Sequence, residues 1–248
     1  MKIIKYKKTS NNKYKILFDN DQELTLYEDV ILKYELLLKK EILEDELTDI
    51  DNYNKECDVY YVALNNIKSR FKSVYDTREF LRKKDYPIDL IDKAIEKLVA
   101  QGYLNDRSFS KSYINNQIIT TSKGPKKIEK ELLEKNIDKN IIDDEIVVFD
   151  RELQLTKLDK LISKMFKSNK TRGGSVLKKK IMLDLHLLGY ENDMINSVLN
   201  NYDFSNNEDI AKREYEKLYK RLSRKYEGKE LEFKIKEKLY QKGLYYEN

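Results

Sequence analysis

The stretch "KDYPIDLIDKAI" (residues 84–95) decides the fold, because its pattern returns twice along the chain. An anchor residue is followed by apolar residues four, five and nine positions later. The same spacing occurs in "NIDKNIIDDEI" (136–146) and in "GYENDMINSVL" (189–199). The three anchors are Tyr86, Ile137 and Tyr190. Apolar residues at this spacing share one face of a helix, so each anchor is predicted to precede a helix that packs in the same way.

The residues around the anchors predict where the preceding helices end. Asp85, Asn136 and Gly189 stand directly before the three anchors, and Gly243 stands before a fourth candidate anchor, Leu244. Gly, Asn and Asp are the residues that best tolerate the left-handed backbone at a helix end. A leucine lies five positions before every anchor: Leu81, Leu132, Leu185 and Leu239. Polar residues suited to the next helix start follow three of the anchors: Asp89, Asn140 and Asp193.

These features predict a unit of roughly fifty residues with three helices, repeated along the chain. Leading helices are expected near 62–71, 109–118, 158–166 and 210–222, and the last unit stops before its third helix. The predicted fold is mainly α, with tandem three-helix repeats that form an elongated, curved body. The predicted domains are an N-terminal sheet with a helix (1–57), repeats at 58–105, 106–150 and 151–204, and a truncated repeat at 205–248.

The first 27 residues differ from the rest of the chain. "KIIKYKK", "KYKILF" and "ELTLY" are short, partly alternating segments, separated by the turn-forming "TSNN" and "DNDQ". Tyr14, Ile16 and Phe18 fall on one face. This pattern predicts a small antiparallel hairpin or three-stranded sheet that must pack on another element, because an isolated hairpin is marginally stable in water.

Composition argues against several classes of protein. No apolar run approaches the length of a membrane span, and the N-terminus lacks the apolar core of a signal peptide. A single cysteine, Cys57, excludes an intramolecular disulfide and fits the cytoplasm, where we expect a buried, unreactive thiol. One histidine, His186, is too little for a zinc site, and neither nucleotide-binding glycine motif occurs. We therefore expect no enzyme, no cofactor and no metal.

The basic residues carry the functional signal. Net charge is +5, and the positive excess lies in the C-terminal part. Four lysines at three- and four-residue spacing share a helix face: Lys157, Lys160, Lys164 and Lys167. "KTRGGSVLKKK" follows with Arg172 and Lys178, Lys179 and Lys180, and "SKGPKK" resembles it with Lys123, Lys126 and Lys127. A helix start with basic neighbours favours an anion, either phosphate or carboxylate.

At this level the chain resembles the bacterial RecX family. The segment "ALNNIKSRFKSVYDTREFLRKKDYPIDLIDKAIEKLVAQGYLNDRSFSKSYI" (63–114) is similar to the family's first half, with Arg70 and Ser73 in place. Its helix end at 81–86 matches except for Asp85, and "GYLND" (102–106) followed by Phe109 matches the family's turn. "SKGPKKIEKELLEKNI" (122–137) resembles the next segment.

The resemblance implies a modulator of the RecA recombinase, with a role in DNA repair, homologous recombination and the SOS response. Family members are built of tandem three-helix repeats, lie in the helical groove of the RecA–DNA filament, and usually restrain ATP hydrolysis, filament growth and strand exchange; some also bind DNA. We expect a monomer with a binding surface for the filament or for single- or double-stranded DNA. The candidate residues are the eight basic residues named above between 157 and 180, the lysines at 123, 126 and 127, and Arg70, Lys72, Arg78, Arg82 and Lys83.

Two alternatives remain open at the level of sequence. The first is a DNA-binding module whose basic helices track phosphates without reading sequence. The second is an enzyme such as a metal-dependent nuclease, which would have to use acidic clusters such as 44–46 or 143–145. Those clusters are more simply explained as solvated helix faces and turns.

Overall fold

The N-terminal segment forms a three-stranded antiparallel sheet. In the computed structural model, which describes residues 1–10, 12–205 and 207–246, strands β1 (Ile3–Ser10), β2 (Lys13–Phe18) and β3 (Glu23–Tyr27) pair in chain order. Asn12 and Asp21, in the two predicted turns, take positive φ angles of 66° and 61°. The remainder of the first turn includes Asn11, which lies outside the described residues. The sequence prediction of a small sheet is confirmed.

The sheet is held against a long helix, as its small size requires. Ile16 and Phe18 of β2 are buried in a core that also contains Cys57. The amide of Tyr27 donates to Asn54 Oδ1 at 3.0 Å, and Asn54 Nδ2 donates to the carbonyl of Thr25 at 3.1 Å. One asparagine of the helix therefore satisfies two backbone groups at the edge of β3.

Helices make up the rest of the described chain. Their bounds are α1 (Glu28–Lys33), α2 (Leu36–Lys39), α3 (Leu47–Ser69), α4 (Val74–Arg82), α5 (Ile88–Ala100), α6 (Asp106–Thr120), α7 (Pro125–Leu133), α8 (Lys139–Ile146), α9 (Arg151–Ser168), α10 (Gly174–Leu187), α11 (Asn192–Leu199), α12 (Glu208–Leu222) and α13 (Gly228–Gln241). The leading helices expected near 62–71, 109–118, 158–166 and 210–222 correspond to α3, α6, α9 and α12. The predicted boundary at 57/58 falls inside the continuous α3, not in a loop.

The predicted helix stops are confirmed. The residues before the four anchors all have positive φ: 60° at Asp85, 54° at Asn136, 90° at Gly189 and 72° at Gly243. At Tyr86, Tyr190 and Leu244 the anchor amide then donates back to the leucine carbonyl five positions earlier, at 3.0 Å from Leu244 to Leu239, which is the hydrogen bond of a Schellman motif. The four leucines are buried.

The polar residues after the anchors stabilise the next helix without capping it. Asp89 and Asp193 lie in the first turns of α5 and α11, where the N-terminal helix dipole favours a carboxylate. Asn140 lies in the first turn of α8, whose cap is Asp138. The side chain of Asp138 accepts a hydrogen bond from the Asn140 amide at 2.7 Å.

The chain divides into two compact units. Residues 1–109 with 135–137 form unit 1, and residues 110–134 with 138–248 form unit 2. Unit 1 holds the sheet core and a second core under α3, α4 and α5, while the end of unit 2 has its own core around Leu218, Ile235 and Leu239. The finer division into four repeats stays a prediction.

Candidate interaction surface

The middle helices of successive repeats meet head to tail. In unit 2 the start of α7 contacts the end of α10: the Gly124 amide donates to the Leu188 carbonyl at 2.7 Å, and the Lys126 amide donates to the Gly189 carbonyl at 3.2 Å. A Cβ on Gly124 would lie 2.6 Å from the Gly189 oxygen. Only glycine permits this approach of two backbones.

The same junction recurs one repeat further along. The Gly173 amide, before α10, donates to the Lys242 carbonyl at 2.9 Å, and a Cβ on Gly173 would lie 2.9 Å from the Gly243 oxygen. In unit 1 an ion pair takes the place of the glycine contact. Lys135, just after α7, donates to both carboxylate oxygens of Asp76 in α4, at 2.8 and 2.9 Å. The two junctions of unit 2 therefore share the same backbone contacts, and the junction in unit 1 is held by a side-chain ion pair.

These junctions correct the expectation of an anion at the starts of α7 and α10. Amides at the two starts, those of Gly124, Lys126 and Gly173, already donate to backbone carbonyls of the next repeat. The glycines near these starts serve close packing between helices. The basic side chains nearby must therefore be assessed by their own surroundings.

The lysines of α9 divide into one structural residue and three exposed ones. Lys157 points its ammonium at the end of α6, where it donates to the carbonyls of Ile118 and, at 3.0 Å, Thr121. Burial lowers the pKa of Lys157. A cation in this position satisfies carbonyls that the helix leaves unpaired, which is a stabilising role.

The other three lysines of α9 face outward. Lys160, Lys164 and Lys167 are exposed and line a shallow groove together with Asp159 and Ser163. In the part of the chain that the structure describes, none of the three forms an ion pair. The nearby carboxylate of Asp159 is engaged by the hydroxyl of Tyr202 at 2.9 Å. These three ammonium groups are available to an external anion.

Basic residues at the start of α10 lie beside a second, smaller depression. Asn169 fixes the backbone of Arg172, accepting from its amide at 3.2 Å and donating to its carbonyl at 2.6 Å. Arg172 and Lys180 line a cavity of about 320 Å³. Lys180 pairs with Asp184 at 2.8 Å and Lys178 contacts Asn200 at 3.3 Å, whereas Lys179 is exposed.

The lysines before and within α7 are mostly paired. Lys123 donates to Glu131, which also accepts from the Tyr113 hydroxyl at 2.8 Å. Burial alone would raise the pKa of Glu131, but these hydrogen bonds lower it below its ordinary value. Lys126 pairs with Glu191 at 2.6 Å, and Lys127 is partly buried where its backbone packs on Gly189.

The candidates in unit 1 have mixed surroundings. Arg78 forms an ion pair with Asp92, and Arg82 pairs with Glu79 at 3.0 Å. Arg70 and Lys83 are exposed at helix ends, and Lys72 is partly buried. Exposed pairs of this kind contribute about 0–1 kcal/mol to stability, so these cations can leave their carboxylate for another anion.

Ser73, which the family resemblance singled out, has a structural role. It is buried and caps α4, accepting from the Asp76 amide at 3.0 Å. The neighbouring Val74 amide donates to Asp106 at 2.9 Å. Burial raises the pKa of Asp106. The Ser73 hydroxyl and the Asp106 carboxylate thus accept hydrogen bonds from backbone amides in the first turn of α4.

The sequence reasoning missed a basic row on α12. Arg213, Lys217, Lys220 and Arg221 lie on one face of the helix, Arg224 follows in the turn after it, and all five side chains are exposed. Their three- and four-residue spacing is visible in "KREYEKLYKRLSRK" (212–225), so the signal was present in the sequence. Glutamates interspersed in this segment reduce its net charge and so weaken the signal.

Neither a metal cluster nor a membrane helix is found among the described residues. No three His, Cys, Asp or Glu side chains there are grouped so as to hold a metal ion. The search of the same residues for a helix long and apolar enough to cross a membrane also finds none. His186 is exposed in the last turn of α10, and Cys57 is buried, with its pKa raised to about 11 by burial.

Fold and surface together define a mainly helical protein of three-helix units that carries exposed cations on its helix faces. The sequence profile of the RecX second three-helix domain matches residues 105–145. The regulatory protein RecX of Listeria monocytogenes serotype 4a (strain HCC23) is 29% identical over 98% of this chain and 92% of its own length. That of Bacillus subtilis (strain 168) is 27% identical over 97% and 92%.

Solved structures agree with these sequence matches. A crystal structure of regulatory protein RecX superposes with a TM-score of 0.72 at 23% identity, covering 80% of this chain and 98% of its own. That likeness concerns the fold. The structure of RecX from Lactobacillus salivarius gives a TM-score of 0.56 at 27% identity, covering 60% and 97%. The chain is thus similar to the regulatory proteins of the RecX family over nearly its whole length.

Proposed function

We propose that this protein binds the RecA–DNA nucleoprotein filament, in its helical groove, and inhibits RecA ATP hydrolysis, filament growth and strand exchange. The proposal rests first on similarity over nearly the whole chain to proteins named regulatory protein RecX. It places the protein in the cytoplasm, as a monomer that acts without catalysis of its own.

The observation that carries the proposal is the exposed face of α9. Three ammonium groups, on Lys160, Lys164 and Lys167, stand on one helix face, and no described carboxylate pairs with them. A filament presents many copies of the same acidic or phosphate groups at regular spacing. Weak contacts from several repeats then act multivalently, so the affinity for a filament greatly exceeds that for a single protomer.

The basic residues at the start of α10 extend this proposed surface. Arg172 and Lys179 are exposed, and the ion pair of Lys180 with Asp184 is solvent-accessible and weak. Lys157 is left out of the proposed surface, because its ammonium is directed at the end of α6. Whether the unit 1 arginines take part is a separate question, which variants at Arg70 and Arg82 address.

Cosedimentation with RecA filaments tests the assignment. Filaments are assembled on single-stranded DNA with a non-hydrolysable ATP analogue, and the bound fraction of this protein is measured. We expect the triple variant Lys160→Glu, Lys164→Glu, Lys167→Glu to lose at least tenfold in affinity. The control Lys2→Glu, Lys5→Glu, Lys7→Glu makes the same change in net charge at exposed positions of the N-terminal segment and should bind as the wild type does. Equal binding by both variants would refute the surface.

DNA alone is a second candidate ligand, favoured by the same unpaired lysines. Cations along a helix face neutralise phosphates without reading sequence, and such binding weakens steeply with salt. Tight binding to bare DNA, proportional to its length and unaffected by RecA, would make DNA binding the main function. Binding that requires the filament would support the first proposal.

A further inference from the structure

The strongest charged feature outside the proposed surface is the row on α12. Arg213, Lys217, Lys220 and Arg221 follow one another at intervals of four, three and one residues, so they share one face of the helix, and Arg224 lies in the turn just past its end. All five side chains are exposed. Arg213, Lys220, Arg221 and Arg224 have no carboxylate within ion-pair distance among the residues at 1–10, 12–205 and 207–246. Like charges at this spacing repel, which favours an external anion.

The row borders a cleft between α12 and the end of α13. The cleft has a volume of about 330 Å³. Its charged lining residues are Glu214, Lys217, Lys220, Arg221, Arg224 and Lys242. Glu214 is the only acidic member, and it is 3% exposed. Its carboxylate accepts a hydrogen bond from Lys242 and lies 3.8 Å from Lys217.

The buried Glu214 is neutralised inside the cleft. It therefore holds the end of α13 against α12 through Lys242 and offers little negative charge to an incoming ligand. The remaining cations keep a positive field in the opening, where a low-dielectric wall strengthens their attraction for anions. The cleft is formed where the end of α13 packs against α12.

We propose that this cleft and row bind the phosphodiester backbone of a nucleic-acid strand, running along α12. Arg213 and Arg221 are eight positions apart on α12, so the helical part of the row is about 12 Å long at 1.5 Å per residue, and Arg224 follows in the turn after the helix. A small anion would contact only part of that length. Phosphodiesters carry one fixed charge per unit, which matches cations placed about one helical turn apart.

The side-chain chemistry also favours phosphate over carboxylate-bearing peptides. Arg221 and Arg224 present planar guanidinium groups that bind phosphate oxygens in pairs. No residue of the row is placed to read a base, so binding should be independent of sequence. The inference deepens the DNA-binding candidate above, and it stands or falls without RecA.

Fluorescence anisotropy with a labelled oligothymidylate, in the absence of RecA, tests the proposal on the full chain. We expect Arg221→Ala, Arg224→Ala to bind more weakly and to reduce the slope of log affinity against log salt by roughly 1.4, at about 0.7 for each lost phosphate contact on a single strand. The matched control, Lys212→Ala with Lys236→Ala, removes two exposed cations of the same repeat that lie off the row. It should keep the wild-type slope.

Equal slopes for the two double variants would overturn the proposal. It would also be overturned if polyglutamate of similar length bound in a manner sensitive to Arg221 and Arg224 while the oligonucleotide did not. Thermal melts of both variants confirm that they fold, since all four positions are exposed. A wild-type effect on RecA ATP hydrolysis together with equal slopes would leave the proposed function intact and remove only this site.

Discussion

The junction between α7 and α10 should depend on glycine at position 124, where it contacts Gly189. Gly124 has a φ of −88°, which alanine adopts without strain. Its added Cβ would nevertheless lie 2.6 Å from the Gly189 oxygen and 2.9 Å from Cγ of the buried Tyr190. Neither neighbour is a flexible side-chain end, so the two helices must move apart.

The expected cost of Gly124→Ala follows from that movement. Overpacking at a close contact costs about 1–3 kcal/mol. Weakening the Gly124–Leu188 hydrogen bond adds about 0.5–1.5 kcal/mol, and reduced freedom of the unfolded chain offsets about 0.4–1 kcal/mol. We expect the free energy of unfolding to fall by about 2–3 kcal/mol, which lowers Tm by roughly 4–12 °C for a chain of this size.

Gly228→Ala is the matched control. Gly228 also lies at a helix start, but its φ is +55° and a Cβ there would meet nothing within 4 Å. Its cost is backbone strain alone, about 1–2 kcal/mol before the gain from the unfolded chain. Native-state hydrogen exchange separates the two effects, because only Gly124→Ala should reduce protection of the Lys126 amide, which donates to Gly189. Smaller destabilisation by Gly124→Ala than by Gly228→Ala, with unchanged protection of that amide, would refute the reasoning.

Three further predictions concern single residues. Asp58 accepts hydrogen bonds from Tyr27, Tyr86 and Lys13, which lower its pKa against the opposing effect of burial. A lowered folded-state pKa gives stability that is fully present above the unfolded pKa of about 4 and is lost as pH falls through the folded pKa. Asp58→Asn should therefore lower the free energy of unfolding by about 1–2 kcal/mol at pH 7, and urea titrations should show this difference shrink progressively as pH falls below about 4. Lys157→Met should lower the free energy of unfolding by about 1–2 kcal/mol, because it leaves two carbonyls at the end of α6 without their donor. The control Lys164→Met should change it by no more than about 0.5 kcal/mol. Equal shifts of Tm for the two variants would contradict the structural role of Lys157. The buried Cys57 thiol, with its pKa raised to about 11, should react with Ellman's reagent at pH 8 only after denaturation, and rapid labelling of the native protein would disprove its burial.

The repeat and its helix stops could be predicted from sequence because they depend on local chemistry. The left-handed residues before the anchors, such as Asn136 and Gly189, are among the few types that adopt that backbone, and the leucines before them are fixed by helical spacing. The sheet could be predicted for the same reason, since its turns and its alternating residues all lie within the first 27 residues. These predictions needed no knowledge of distant contacts.

The surroundings of the basic residues could not be predicted in the same way. Gly124 and Gly173 look like ordinary helix starts, and only their contacts with Gly189 and Gly243, far along the chain, show that they are packing glycines. Lys157 shares a helical face with Lys160 and Lys164 in projection, yet the end of α6 removes it from that set. Long-range packing decides which cations remain available, and helical spacing alone does not report it.

The measurement that tests the central claim most directly is DNA-dependent ATP hydrolysis by the RecA of the same organism on single-stranded DNA. This protein is titrated in at ratios well below one per RecA protomer, because a regulator that acts on filaments influences many protomers at once. We expect loss of hydrolysis at such ratios, with the Lys160→Glu, Lys164→Glu, Lys167→Glu variant much less effective than wild type. An unchanged rate, even with this protein in excess over RecA, would contradict it.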